Sequence, residues 1–481
     1  MSSKSVLAVD LGAESGRVMR LNFDGTKFIF EEIHRFPNIP VEASGTLYWD
    51  VLSIWHEIQT GIAKSPCADS LGIDCWGVDF ALLDKNGKLL SNPLNYRDKS
   101  SSGMMEWVFQ QVPKKELFQR TGNQPIFHNG IYRLAYLAKI HSPILEACTT
   151  FLTIADLFNY WLSGNKSCEY THVTTQQLYN PNQNDWDYET MDVLGIPQNL
   201  FPEVLKPGTQ IGKFNEIPVT LPACHDTASA VAAVPSITPD YAFLSSGTWS
   251  LLGLELDKLI LNDEAFEANL ANEGGYGDTN RFLKIIAGLW LVQQSVKTWA
   301  EEGNSYHYEQ TVSMAEKASP FLAFIDPDLP EFIPAGDMPS RIRDFCRDSG
   351  QRVPQTHEEI LRVIYESLAM KYRYFLNLIM KISGKEVNKL HVLGGGSLNL
   401  LLNQFCANAM QIPVIAGPAE ATSIGNAMVQ LISIGEIRDH QEAREIIIDS
   451  TSLNYFEPQQ EKIWNEQFER YEKDIIRKSV G

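Results

Sequence analysis

An α/β protein of two related domains, each a mixed β-sheet flanked by helices, is the fold class this sequence predicts. Three observations carry it. The chain runs to 481 residues, too long for one ordinary hydrophobic core. An apolar run, a tight turn of small and hydroxyl residues and a second apolar run occur twice, at Val6–Arg17 and at Ala242–Gly253. Strand–turn–helix units follow each copy, which is the pattern of a sheet covered by helices.

The elements follow in order. Val6–Leu11 reads as a strand, Gly12–Gly16 as a turn and Arg17–Phe23 as a second strand. Asp24-Gly25 signals a hairpin into a third strand over Phe28–Phe36. Val51, Leu52, Trp55, Ile58 and Ile62 share one helical face, so Trp49–Lys64 is expected as a helix capped by Asp50. Ser70–Cys75 is another strand. Trp76-Gly77-Val78-Asp79 is expected as an exposed turn, leading to a strand that Asn86-Gly87 folds into a hairpin. Helices are expected over Gly103–Phe118, Ile131–Leu145 and Ile154–Ser163, and an irregular loop over Pro181–Pro207. Val219–Ala223 reads as a strand and His225–Val234 as a helix. Pro235–Pro239 marks the expected boundary and hinge between a domain of residues 1–238 and one of residues 239–481. In the second half, helices are expected over Ile285–Trp299, Glu358–Ile382, Leu398–Ala409 and Thr422–Ile432. Strands are expected over Leu390–Leu393 and Pro413–Ile415, with Gly394–Gly396 as a turn.

Composition excludes several functions. With 44% hydrophobic and 21% charged residues the chain is globular, not disordered. A formal net charge of −19 offers no basic excess for nucleic acid or an anionic membrane, although one nucleotide needs only a local site. Seven scattered cysteines contain no Cys-x-x-Cys pair, so neither a disulfide framework nor a zinc site is expected. Met1-Ser-Ser-Lys4 passes straight into a strand without a signal-peptide pattern, and no apolar stretch is long enough to span a bilayer. The cytoplasm is the expected compartment.

The two matched turns are phosphate-loop candidates, because such turns expose N–H groups and hydroxyls. In the first, Gly12 and Gly16 allow close backbone approach, Asp10 is placed to hold Mg²⁺ through water, and Arg17 to pair with a phosphate oxygen. Read alone, the same residues make an ordinary hairpin turn with a surface arginine; their recurrence at Ser245–Thr248 favours the phosphate reading. Gly394-Gly395-Gly396, between a strand and a helix, suits an anion or a flat base or ribose, or is simply a tight turn; its spacing is not the dinucleotide fingerprint. No Gly-Lys pair is followed by Ser or Thr, so there is no Walker A loop, and no H-E-x-x-H or EF-hand motif occurs. In Ala223–Ala230, Asp226 follows a strand and precedes an Ala-rich helix. It suits either a helix N-cap or a general base taking the proton of a sugar hydroxyl, with His225 and Thr227 beside it to bond a polyol. Trp76, Trp249 and Trp290 offer flat apolar walls for a sugar, Trp290 being more simply a core residue.

Together these motifs resemble the FGGY carbohydrate kinases of the sugar kinase/actin/Hsp70 superfamily. The resembling segments are Ala8–Val18, Glu32–Phe36, Trp76–Phe80, His225–Val231, Tyr241–Leu251, Asn272–Gly275, Gly288–Leu291, Gly394–Asn399, Ile412–Pro418 and Glu420–Asn426, spread over nearly the whole chain. The resemblance implies two actin-like (ribonuclease H-like) domains with the active site in the cleft between them. It implies ATP and Mg²⁺, and phosphorylation of a ketose, L-rhamnulose, at its 1-hydroxyl in L-rhamnose catabolism. It assigns Ala13, Glu14, Ser15, Gly16, Arg17, Thr248, Gln293 and Gly395 to ATP, Gly77, His225, Asp226 and Thr227 to the ketose, and Asp226 to the base. Three positions depart from the family pattern: Ile285 and Ile286 stand where a polar sugar contact is expected, and Glu14 where a small residue is common. The alternatives are an FGGY kinase for L-fuculose or D-xylulose, an actin- or Hsp70-type ATPase with no sugar substrate, and a silent sugar-binding regulator. The last has no need of Asp10, Asp226 and Thr248 together. The proposed sugar contacts lie in one half and Gln293 and Gly395 in the other, so closure of the halves on the sugar is expected.

Overall fold

The computed structural model describes residues 3–476. It divides into two compact units. One holds the chain up to Ile237 together with Glu255–Phe282 and Ala421–Ser450; the other holds Thr238–Leu254, Leu283–Glu420 and the chain from Thr451 on. The first crossing falls inside the Pro235–Pro239 stretch, but neither unit is one continuous piece of chain.

The first unit is built on a six-stranded sheet in the order Gln210–Phe214, Ile217–Thr220, Ser70–Cys75, Lys4–Leu11, Ser15–Phe23, Phe28–Pro37. Lys4–Leu11 runs antiparallel to Ser15–Phe23 and parallel to Ser70–Cys75, so the sheet is mixed. Every residue of Ser70–Cys75 is buried, as a central strand covered on both faces requires. Gly61 brings the Val51–Ala63 helix onto the sheet: a Cβ there would stand 2.3 Å from the Val18 side chain. The Asp50 carboxylate caps this helix by accepting the Ser53 N–H. The Ala421–Ser433 helix packs on the same sheet. Its Gln430 amide donates to the Leu7 carbonyl at 2.9 Å, and its Asn426 amide to the Gly72 carbonyl at 3.2 Å.

The second unit repeats the plan. Tyr241–Ser246 pairs antiparallel with Trp249–Leu256 and parallel with Lys389–Leu393, and Val414–Ala416 and Asn454–Phe456 extend the sheet. The His357–Ser383 helix begins with a full capping box, Thr356 and Glu359 each bonding the other's backbone, and ends at left-handed Gly384. No helix among the described residues is long and apolar enough to cross a membrane.

Several expected elements differ. Ile285 and Ile286 belong to the strand Asn280–Ala287, and the helix begins only at Trp290. Gly288 separates the two; a Cβ there would lie 2.4 Å from the Ser250 hydroxyl, which leaves room for nothing larger. The helix expected over Gly103–Phe118 is two, Met104–Gln111 and Lys114–Thr121, because Pro113 lacks the N–H that would continue the first. Ile131–Leu145 likewise divides into Gly130–Lys139 and Pro143–Ala147. Pro181–Pro207 contains a short helix, Tyr188–Val193, capped by Asp187. The strand Phe80–Leu83 finds its partner in Thr150–Thr153, and the hairpin expected at Asn86-Gly87 is reduced to one bridge, Leu83 to Leu89. The Trp76–Asp79 turn is not exposed. Trp76 retains 5% exposure and Asp79 none, and both Trp49 and Trp76 donate indole N–H groups to Asp79 Oδ2.

Candidate active site

The first phosphate-loop candidate is a tight turn with a rigid frame. Gly12 N–H donates to the Ser15 carbonyl at 2.9 Å, and Asn38 ties the turn down by donating to the Gly12 and Glu14 carbonyls. Ala13 and Ser15 are half-buried and Glu14 is exposed. Gly16 lies inside the strand Ser15–Phe23, where a Cβ would come within 2.4 Å of the Phe36 ring; its smallness serves the core. Arg17 and Asp10 face each other across the hairpin. Nε and Nη2 of Arg17 donate to Asp10 Oδ2 at 3.0 and 2.8 Å. The same oxygen accepts the Ser423 hydroxyl at 2.8 Å. Arg17 is therefore already engaged as the counter-ion of Asp10, so bonding a phosphate requires it to exchange or share that carboxylate.

Asp10 pairs in register with buried Asp74 of the neighbouring strand. Burial first, and then the Asp10 charge, hold the Asp74 carboxyl well above the ordinary range. The Asp10 charge also raises Asp226. Asp10 is thus the carboxylate whose charge raises both of its acidic neighbours, Asp74 and Asp226. Among the described residues no three His, Cys, Asp or Glu side chains are placed to hold a metal alone. That donor set matches Mg²⁺ bound mainly through water and phosphate oxygens, with Asp10 as the protein carboxylate.

The ketose candidates converge in the first unit. Asp226 is the first residue of the helix Asp226–Ala232, and His225 takes the cap position without a side-chain bond, so the N-cap reading of Asp226 is corrected. Freed from capping, Asp226 Oδ1 accepts the backbone N–H and hydroxyl of Thr227 at 2.5 and 3.2 Å. Its Oδ2 takes no hydrogen bond among the described residues. The side chain keeps 30% exposure. Burial, then the Asp10 charge, lift its pKa to about 7, while the Thr227 bonds and the Arg281 charge pull it down. His225 Nε2 stands 3.3 Å from Asp226 Oδ1. Burial, with the Arg281 and His172 charges, holds this imidazole well below its ordinary pKa, so it is neutral. Gly77 abuts the ring: a Cβ there would be 3.1 Å from Nε2. The next residue, Val78, has φ +68°, a strained conformation for a β-branched side chain. It is held by its N–H to Thr175 Oγ1 at 2.9 Å and by Arg133 on its carbonyl.

In the second unit the structure joins Thr248 and Gln293, whose Nε2 donates to Thr248 Oγ1 at 3.1 Å. Gln293 Oε1 is buried without a partner. The Gly247-Thr248 turn is braced by N–H groups of Gly288, Leu289 and Trp290 donating to its carbonyls. Gly395 opens a 3₁₀ turn, and a Cβ there would meet nothing within 4 Å, whereas one on Gly396 would strike Ser246. Gly395 thus presents bare backbone to open space. Trp76 packs at 4.3 Å, tilted, against Trp49 and works as core, and the Trp290 indole is tied to the Phe332 carbonyl.

Sequence reasoning missed Ser423, Asp74, Glu273 and Arg281. Ser423 and Glu273 lie inside segments that carry the family resemblance, and Glu273 and Arg281 are charged residues in strand-like segments, a cost unless they are paired.

Models of the FGGY family of carbohydrate kinases match this chain twice, the N-terminal domain over residues 5–221 and the C-terminal domain over residues 242–434. The chain is 39% identical to a rhamnulokinase of Bacteroides thetaiotaomicron over 476 residues, covering 96% of this chain and 97% of that protein. It is 38% identical to a rhamnulokinase of Pectobacterium atrosepticum, covering 98% and 97%. Its fold is similar to that of gluconate kinase from Lactobacillus acidophilus, with TM-score 0.81 at 15% identity over 100% of this chain and 98% of that one. It is similar also to that of Plasmodium falciparum glycerol kinase with ADP, with TM-score 0.77 at 16% identity over 98% and 97%.

Proposed function

The chain belongs to the FGGY family of carbohydrate kinases, and from that premise we propose that it transfers the γ-phosphoryl group of ATP to the 1-hydroxyl of L-rhamnulose. The products are L-rhamnulose 1-phosphate and ADP, in L-rhamnose catabolism. The substrate reading is supported by the name shared by relatives 38–39% identical over nearly their whole length. The observation that carries the chemistry is Asp226, whose carboxyl is raised to about 7 with one oxygen unengaged beside a neutral His225.

Asp226, ionised, takes the proton of the 1-hydroxyl through Oδ2 as the sugar oxygen forms its bond to phosphorus and the bond from phosphorus to ADP breaks. A pKa near neutrality matches a base working near neutral pH. His225 and Thr227 hold ketose oxygens, and Gly77 leaves the room for them. Ala13, Glu14, Ser15, Gly16 and Arg17 in the first unit, and Thr248, Gln293 and Gly395 in the second, hold ATP. Residues 1–238 thus carry the sugar site, the base and one phosphate loop, and residues 239–481 the other nucleotide contacts. When bound, Mg²⁺ neutralises phosphate charge, with Asp10 holding it through water. Seven free thiols, six of them buried, suit a reducing cytoplasm.

The test is ADP release over a panel of ketoses. L-Rhamnulose is expected to give a kcat/KM at least about 10-fold above L-fuculose and D-xylulose. Equal rates over the panel would leave only an unspecific ketose kinase. Sugar-independent ADP release at the same rate would favour the actin- or Hsp70-type ATPase.

A further inference from the structure

We infer that Arg281 is a positioning residue of this site: it fixes the His225 imidazole with a single proton, on Nε2, directed to Asp226. The inference rests on the reading of Asp226 as the base and extends it by one residue.

Geometry carries it. Arg281 Nη2 lies 2.9 Å from His225 Nδ1. A guanidinium only donates, so Nδ1 must accept, and a neutral ring then carries its proton on Nε2. That nitrogen is 3.3 Å from Asp226 Oδ1. The two Thr227 bonds fall on Oδ1, which His225 Nε2 also approaches at 3.3 Å, and this leaves Oδ2 as the proton acceptor. Arg281 is itself immobilised. It is fully buried, Nε donates to the Gly274 carbonyl at 2.9 Å, and Nη2 pairs with Glu273 Oε2 at 3.1 Å. The His225 backbone is held separately by its N–H to Thr171 Oγ1. The other titratable groups around the ring are Glu273, whose Oε2 lies 3.5 Å from Nδ1, His172, 6.2 Å away centroid to centroid, and Glu169, which accepts the N–H of Cys224. A second proton on Nδ1 would point toward the guanidinium, so the Arg281 contact opposes imidazolium and the Nδ1–H tautomer against the pull of the Glu273 carboxylate.

Nitrogen-15 NMR of histidine-labelled protein reads the ring directly, with the His225→Asn variant assigning the signal. In the wild type the Nε2–H form is expected, unchanged from pH 5.5 to 8.5. In Arg281→Met the ring should titrate within that range and kcat/KM for the ketose fall about 10²-fold. KM for ATP should stay within about 3-fold. Arg281→Lys, which keeps a donor, should recover about 10-fold of the loss. A wild-type ring protonated on Nδ1, or an Arg281→Met protein with an unchanged ring signal and kcat/KM within about 3-fold of wild type, overturns the inference. Should Arg281→Met not fold, the wild-type spectrum decides alone. The ring is read without substrate, so a failed ketose panel would sink the proposed function and leave this result standing.

Discussion

The Ser423 hydroxyl donates to Asp10 Oδ2 at 2.8 Å, joining the Ala421–Ser433 helix to the end of the first strand across 413 residues of chain. That oxygen also takes two bonds from Arg17. Asp10 is held by three donors while its charge raises the pKa of Asp226.

Asp10→Asn removes that charge. The acid limb of kcat/KM against pH should move below the wild-type limb, since Asp226 then loses its proton more easily. The Mg²⁺ concentration giving half-maximal rate should rise about 10-fold or more, one of few protein carboxylates being lost. Rate measurements over pH and Mg²⁺ check both; an acid limb that does not move would refute the coupling.

Asp226→Asn should lower kcat by about 10²–10⁴-fold with ATP binding nearly intact, since the amide cannot accept the proton. Because Asp226 is first in its helix and not its cap, the melting temperature should change little. In the wild type the working form is the carboxylate, so kcat/KM should rise with pH through about 7 and level off above it. Turnover within a few-fold of wild type would remove the base role.

Gly77→Ala places a methyl group 3.1 Å from His225 Nε2. The ring must shift by a few tenths of an ångström or the turn must open. The expected result is a raised KM for the ketose with KM for ATP unchanged, read from initial rates with each substrate varied. A parallel rise in both would point to general damage.

Glu169 is fully buried, and its carboxyl holds Cys224, Thr171 and His172 in place. Burial, the largest cause, raises its pKa to about 8 from 4.5, against the bonds from Thr171 and His172. A group raised on folding contributes stability that is complete below the unfolded value and is lost as pH rises through the folded one. Glu169→Gln should therefore lose less stability than the wild type between pH 5 and 9. Urea midpoints across that range give the comparison, and parallel curves would contradict the assignment.

Much of this protein was legible in its sequence. Period-two runs and turn dipeptides mark the strand–turn–strand opening of each sheet, and the apolar stripe of the long helix marks Glu358–Ile382 to within a residue. Local signals failed where two of them competed. Ile285-Ile286 is apolar enough for either a helix or a strand, and only its place in the sheet beside Trp249–Leu256 makes it strand. The turn at Trp76–Asp79 reads as exposed from its glycine and aspartate, but Arg133, 54 residues on from Asp79, pairs with that aspartate and makes it core.

Sequence alone determined the local repeats, because hydrophobic period and turn chemistry act within a few residues. It also selected Asp10, Arg17, His225 and Asp226 as polar residues at strand ends. Tertiary structure decided what each does: that Arg17 neutralises Asp10, that the distant Ala421–Ser433 helix joins the first unit, and that Arg281 meets His225. Protonation state depends on desolvation and on charges a few ångströms away, and folding alone brings those together from positions tens to hundreds of residues apart.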